Sequence, residues 1–274
     1  MTPDKADRLN EFFREFAQCA EAILLLDFDG TLAPFRMDRF TARPWSGVRE
    51  LLAGIQHGDD KRLRTRLAVI TGRPAGEIAP MLGLDPALEV WGLHGAERLY
   101  PDGRRELEQG TPATMEKLAE LRERLKQDSL GGLYEDKANG AVMHWRGASA
   151  QKAKQIEART RALFESLVRM DGLRLLEFES GLELRVGRDK GGAVEAILAE
   201  AGTKGPVAYL GDDLTDEAAF RVVNTLERRG LSVLVRGERR ETEAQIWLRP
   251  PGELREFLKR WLVAGSMSQF QAGN

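Results

Sequence analysis

Ile23-Leu24-Leu25-Leu26-Asp27-Phe28-Asp29-Gly30-Thr31-Leu32 is the stretch on which the reading of this chain turns. Four apolar residues in a row are cut off by two carboxylates and a glycine. A short unbroken apolar run closed by polar turn residues is the pattern of a strand buried on both faces of a parallel sheet. Residues i and i+2 of an extended strand point the same way, so Asp27 and Asp29 set two negative charges side by side, which gains nothing for folding. The pair makes sense where a hard cation lies between the carboxylates, or where one of them keeps a proton. The plainer competing reading is that an aspartate at a strand end caps a turn or the next helix. An EF-hand loop fails on spacing: it needs glycine at its sixth position, and Gly30 is fourth from Asp27.

The same punctuation recurs on either side. Leu67–Ile70 is closed by Thr71-Gly72-Arg73-Pro74, and Val207–Leu210 by Gly211-Asp212-Asp213. Helical spacing is read over Lys5–Ala22, over Ser46–Ile55 with Ser46 as its cap, from Ala75 onward, and over Lys190–Ala201, Asp216–Val223 and Pro251–Leu262. Ser232–Val235 and Ile246–Leu248 read as further strands. Strand, polar turn and helix in alternation predict a Rossmann-like α/β core, a parallel sheet with helices on both faces. Between these halves the pattern changes. A helix over Thr111–Gln127 precedes strands Leu133–Lys137 and Val142–Arg146, with the hairpin signal Asn139-Gly140 between them. A helix over Ala148–Arg169 then leads to a second hairpin, Leu173–Phe178 and Leu182–Val186. This is an α+β layout, expected as a smaller domain over 107–186 inserted into a core built from 1–106 and 187–274. The tail Ser266–Asn274 is polar and expected to fray.

Ligands of open α/β sheets gather at the carboxyl ends of the strands, which is where Asp27, Asp29, Thr71, Arg73, Asp212, Asp213 and Asp216 fall. Their order along the chain carries a resemblance. Asp27-Phe28-Asp29-Gly30-Thr31-Leu32 resembles the first motif of the haloacid-dehalogenase-like (HAD) phosphohydrolases. Ile70-Thr71-Gly72-Arg73 resembles the second, Lys190-Gly191 the third, and Gly211-Asp212-Asp213-Leu214-Thr215-Asp216-Glu217 the fourth. The resemblance implies that Asp27 is a nucleophile forming an acyl phosphate, and that Asp29 is the general acid and base. It implies Mg²⁺ held by Asp27, Asp212 and the backbone carbonyl of Asp29, with Thr71 and Lys190 on the phosphoryl oxygens. Asp213 and Asp216 would orient metal waters or Lys190. A carboxyl with the ordinary pKa of about 3.9 suits the acid role only if burial or a nearby carboxylate shifts it.

The middle of the chain narrows the resemblance. Glu135-Asp136-Lys137, His144-Trp145-Arg146 and Glu183-Leu184-Arg185, with Gly92-Leu93-His94-Gly95-Ala96-Glu97, are similar to the trehalose-6-phosphate phosphatase family. The inserted domain is then expected to be a cap that excludes water and reads the sugar, with Glu135, Lys137 and Glu183 on its hydroxyls. His94, Arg73 and Arg185 join them as expected substrate-binding residues. By spacing alone, Glu135 and Lys137 could equally be one solvated face of a hairpin. His144 reads as well as a structural histidine as a ligand, and Trp91 and Trp145 read as core. Where the family has proline after the Glu183-Leu184-Arg185 motif, this chain has Val186-Gly187. Phosphatases for other glycosyl phosphates, a phosphomutase and a silent sugar-phosphate-binding module stay open as alternatives.

Bulk properties agree with a folded enzyme of small metabolites. The chain has 274 residues, 42% hydrophobic and 31% charged, with a net charge of −2. That balance gives no pull toward nucleic acid or an acidic membrane surface. The basic cluster Arg236-Gly237-Glu238-Arg239-Arg240 reads as a solvated loop. Cys19 is the single cysteine, so no intrachain disulfide forms. No apolar stretch approaches the ~20 residues of a membrane span, the N-terminus lacks a signal-peptide pattern, and a cytoplasmic setting is expected.

Overall fold

The computed structural model of the chain describes residues 3–36, 38–57, 64–127, 133–137, 139–168, 172–202 and 204–267. It divides into two compact units. One comprises residues 1–106, 190–212 and 216–274; the other comprises 107–189 with 213–215.

The first unit is organised around β1 (Glu21–Leu26), which pairs in parallel with β2 (Arg64–Ile70) on one side and β10 (Val207–Gly211) on the other. The full sheet runs β12-β11-β10-β1-β2-β3-β4-β5, where β3 is Glu89–Gly92, β4 Glu97–Leu99, β5 Arg105–Leu107, β11 Gly230–Val235 and β12 Ile246–Leu248. β1 lacks a hydrophobic alternation because both its faces are covered. Leu24 and Leu26 enter one core with the helices α1 (Pro3–Phe16), α2 (Val48–Gln56), α3 (Ala75–Leu82) and α8 (Gly252–Met267), while Ile23 and Leu25 enter a second core with α6 (Lys190–Ala201) and α7 (Glu217–Asn224). Asp27 follows directly, its N–H donating to the carbonyl of Leu210 at 2.8 Å.

α1 stops at Phe16 rather than reaching Ala22 as the spacing predicts, since Glu21 already pairs in β1. The helix covers the first core: Phe16 meets Trp261 of α8 edge-on at 4.6 Å, and Phe13 meets Phe257 at 5.7 Å. Cys19 is half-buried against the same core. α2 begins at Val48 behind Gly47, which holds φ +82 and makes no side-chain cap; Ser46 is not the cap. α8 runs on to Met267, into the stretch expected to fray. Residues 268–274 of that tail, residues 58–63, Ala138 and Arg169 lie outside the described residues. Among the described residues no helix is long and apolar enough to cross a membrane.

The second unit is an antiparallel sheet in the order β6-β7-β9-β8, with β6 Tyr134–Lys137, β7 Gly140–His144, β8 Leu173–Phe178 and β9 Gly181–Val186. Trp145 and Arg146 fall beyond β7, two residues short of the predicted strand end. Strand alternation separates the faces of this sheet. Ala141, Met143, Leu182, Leu184 and Val186 pack with Leu118, Leu121 and Leu125 of α4 (Pro112–Gln127) and with Ile156 and Phe164 of α5 (Ala150–Val168). Glu183 and Arg185 take the opposite face of β9. Gly187, just past β9, adopts φ +99, and its N–H donates to Gly172 O.

Candidate active site

The ends of β1 and β10 bring the expected acidic residues together. Asp27, Asp212 and Asp216 each offer a carboxylate oxygen, all within 4.8 Å of one another, and all three residues are buried. Two glycines make room for this cluster. A Cβ on Gly30, which holds φ +80, would fall 2.1 Å from Asp212 Oδ2; a Cβ on Gly211 would fall 2.3 Å from Asp216 Cγ. The glycines of the first and fourth motifs are there because carboxylates occupy the space of their side chains.

Lys190, the first residue of α6, places Nζ 2.8 Å from Asp27 Oδ1 and 2.7 Å from Asp216 Oδ1. Asp216 also accepts from the Tyr209 hydroxyl at 2.6 Å and from the Asp212 N–H at 3.0 Å. Burial works against the Lys190 ammonium, but Asp216 and Asp27 overcome it and hold its pKa above the usual lysine range. Burial likewise pushes the Asp27 carboxyl up to about 7, opposed by Lys190 and reinforced by Asp216. Tyr209, raised well above its ordinary value by burial and then by the charge of Asp216, stays a neutral donor. Three buried carboxylates against one ammonium leave an excess of negative charge on hard oxygen donors, the chemistry that suits Mg²⁺.

Asp27 also makes stability depend on pH. Its folded pKa lies above the unfolded value of 3.8, so its contribution is fully present below about pH 4 and is lost as pH rises through about 7. In metal-free buffer, wild type should lose melting temperature relative to Asp27→Asn as the pH is raised from about 5 to about 8. A difference that stays flat over this range, in paired thermal melts, would contradict that assignment.

Asp29 has a different partner. Its carboxylate takes a two-point contact from Arg73, Nε to Oδ2 at 2.6 Å and Nη2 to Oδ1 at 2.5 Å. The sequence placed Arg73 on the substrate; in the structure its guanidinium is paired with Asp29, whose charge also bears on Asp27. Thr71 is fully buried, and its Oγ1 accepts from the Arg73 N–H at 3.2 Å. His94, in the left-handed region at φ 56, donates its N–H to Thr71 O at 2.7 Å. Its ring lies against Gly72, where a Cβ would come within 2.7 Å of it. Asp213 is half-exposed and accepts from the Leu214 N–H in its own turn.

Two functional-looking groups escaped the sequence reading. Tyr209 sat inside an apolar run, where a buried hydroxyl needing a partner is the one available signal. Arg236 and Arg240 belong to the cluster read as solvated, yet both donate toward Asp212 O, at 3.4 and 3.3 Å, and Arg240 pairs with Glu217 at 2.5 Å. They brace the fourth-motif turn.

In the second unit, Lys137 Nζ pairs with Glu183 Oε2 at 2.7 Å, and His144 Nε2 lies 2.8 Å from Glu135 Oε2. Lys137 and Glu135 are thus paired across the sheet rather than simply solvated. Arg185 is fully buried, and Nε, Nη1 and Nη2 have no hydrogen-bond partner among the described residues. Burial lowers its pKa, with Glu183 opposing.

A carboxylate-bearing central strand in this sheet order defines a chain of haloacid-dehalogenase-like architecture. A solved haloacid dehalogenase-like hydrolase from B. subtilis shares the fold at TM-score 0.61 and 15% identity, over 86% of this chain and 98% of that one. An Aspergillus fumigatus trehalose-6-phosphate phosphatase structure shares it at TM-score 0.71 and 22% identity, over 93% and 97%.

More narrowly, the chain belongs to the trehalose-phosphatase family, whose profile matches residues 25–249. A trehalose-phosphate phosphatase of Mycolicibacterium paratuberculosis is 32% identical over 253 residues, covering 86% of this chain and 61% of that protein. The chain thus spans about three fifths of the length of the mycobacterial relatives it matches.

Proposed function

We propose that the chain is a Mg²⁺-dependent phosphatase that hydrolyses trehalose 6-phosphate to trehalose and inorganic phosphate. The observation that carries this reading is the buried Asp27–Lys190–Asp216 contact beside Asp212, in a member of this family. Asp27 and Asp212, with the backbone carbonyl of Asp29, would hold Mg²⁺. When bound, the ion neutralises the repulsion between a carboxylate nucleophile and a phosphate.

The chain's own residues supply the rest. A carboxylate oxygen of Asp27 attacks phosphorus, the phosphorus–oxygen bond to the sugar breaks, and Asp29 passes a proton to the departing oxygen. Asp29 then takes a proton from water, the water oxygen bonds to phosphorus, and the bond from Asp27 to phosphorus breaks to release phosphate. Lys190 and Thr71 hold the phosphoryl oxygens, Asp216 and Tyr209 hold Lys190, and Asp213 shapes the turn behind Asp212. The second unit acts as the cap. Glu135, Lys137 and Glu183 take sugar hydroxyls, carboxylates accepting and the ammonium donating, with His94 and Arg185 as further substrate contacts.

Phosphate release from a panel of sugar phosphates, with Mg²⁺ and with EDTA, tests this. Mg²⁺-dependent release from trehalose 6-phosphate, with little from glucose 6-phosphate or sucrose phosphate, is expected. Release from a different member of the panel would keep the chemistry and discard the substrate.

Arg185 offers a second check. A buried charge without a hydrogen-bond partner costs stability that folding alone has no reason to bear. Arg185→Met should therefore stabilise the chain by about 1–3 kcal/mol while raising KM for trehalose 6-phosphate. Thermal melts and steady-state kinetics on one preparation read both; a lower melting temperature with unchanged KM would show that the guanidinium serves the fold.

A further inference from the structure

Each of the three guanidinium nitrogens of Arg73 donates a hydrogen bond to the protein. Nε and Nη2 form the fork onto Asp29, while Nη1 donates to Arg39 O at 2.5 Å and lies 3.8 Å from Met81 Sδ. A guanidinium carries five N–H donors in a rigid plane, and three of its hydrogen bonds here go to oxygens of the chain itself. The group is fixed further by packing. Arg73 is buried, its guanidinium carbon lies 5.7 Å from the centre of the Phe28 ring, and its own carbonyl accepts from the Leu93 N–H at 2.8 Å. Arg39, whose carbonyl it takes, is tied to Glu77 at 2.5 Å.

Asp29 is held the other way round. A carboxylate has about four lone-pair sites. The fork uses one on each oxygen, and the side chain keeps 24% exposure. One site per oxygen stays available to a proton or to water, while the plane of the carboxylate is dictated by Arg73.

We propose that Arg73 is a positioning residue for Asp29, which it aims for proton transfer, and is not a ligand of the substrate. This rests on the reading above that Asp29 hands a proton to the leaving oxygen. Lysine is not equivalent at a two-point contact, because a point charge does not fix the orientation of a carboxylate plane.

The test compares two substrates. The sugar oxygen of trehalose 6-phosphate needs a proton to leave, whereas the nitrophenolate of p-nitrophenyl phosphate leaves without one. Single-turnover release of each leaving group, together with steady-state kcat and KM, is measured for Arg73→Gln and Arg73→Lys, each with and without Asp29→Asn. General acid catalysis contributes roughly 10²–10⁴-fold, so Arg73→Gln should slow release from the sugar phosphate by about 30- to 100-fold. KM should stay within about threefold, and release of nitrophenolate should fall far less. Arg73→Lys should recover part of the rate, and it carries the test if the glutamine variant does not fold. With Asp29→Asn already in place, neither change at Arg73 should cost anything more.

A raised KM with equal losses on both substrates, or losses that add to those of Asp29→Asn, would make Arg73 a substrate ligand and overturn the proposal. A harmless Asp29→Asn would instead overturn the proton-transfer reading beneath it. A damaging Asp29→Asn beside a harmless Arg73→Gln would overturn the positioning role alone.

Discussion

Asp27→Asn should reduce phosphatase turnover by at least about 10⁴-fold, the scale on which removal of a nucleophile is felt in enzymes with covalent intermediates, while leaving a folded protein. The two halves of that expectation have separate causes. Asparagine keeps the shape of the side chain but not a carboxylate able to form an acyl phosphate. The fold tolerates the change because Lys190 keeps its second counter-charge, Asp216 at 2.7 Å, so that no buried ammonium is stranded. The new amide oxygen still accepts from Nζ where Asp27 Oδ1 did, at 2.8 Å. Moreover, the carboxyl that is lost is one whose ionisation burial already opposes, so the melting temperature in metal-free buffer at neutral pH should not fall. Activity and thermal melts on the same sample check both halves. Turnover close to wild type would refute a covalent intermediate on Asp27. Loss of activity together with loss of the folded state would show that the Asp27–Lys190 contact serves the fold first.

How far such a site is legible from sequence depends on distance along the chain. β1 was readable because a strand covered on both faces shows as an apolar run with a sharp end, and Asp27 and Asp29 follow directly at that polar end. β3, β4 and β5 were not, being three or four residues long with Glu89, Glu97, Arg98, Arg105 and Glu106 among them; a run that short has no period to detect. The start of α2 was misread because Ser46 looks like a cap, whereas the backbone there turns at Gly47. In the site, Asp27, Asp212, Asp216 and Lys190 sit in motifs whose residue types declare their charge. The Arg73–Asp29 contact could not be seen, because its partners are 44 residues apart and meet only through the pairing of β1 with β2. Arg236 and Arg240 failed for the same reason: a basic loop reads as solvated until the carbonyl it reaches is known.

Glu183→Gln should lower kcat/KM for trehalose 6-phosphate by about 100-fold or more while changing that for p-nitrophenyl phosphate by less than about threefold, since a charged hydrogen bond contributes roughly 1.5–3 kcal/mol and a site built for hydroxyls penalises the unpaired group as well. Glu183 is 1% exposed and pairs with Lys137 at 2.7 Å. Its neighbours Leu182 and Leu184 are anchored in the core beneath the other face of β9, so the strand holds its place when the side chain changes. Glutamine is the informative substitution because it preserves volume and an acceptor oxygen while removing the charge that orders Lys137. Alanine would leave a partly buried ammonium without its partner, which costs about 3–5 kcal/mol on its own, and would mix loss of fold with loss of recognition. The aryl phosphate carries no sugar hydroxyls, so it reports on Asp27, Lys190 and the phosphoryl group alone. Equal losses on both substrates would mean that Glu183 acts through the fold rather than on the sugar, and the selectivity for a disaccharide would then have to come from His94 or Arg185. A loss confined to the disaccharide phosphate separates recognition by the second unit from chemistry on the first.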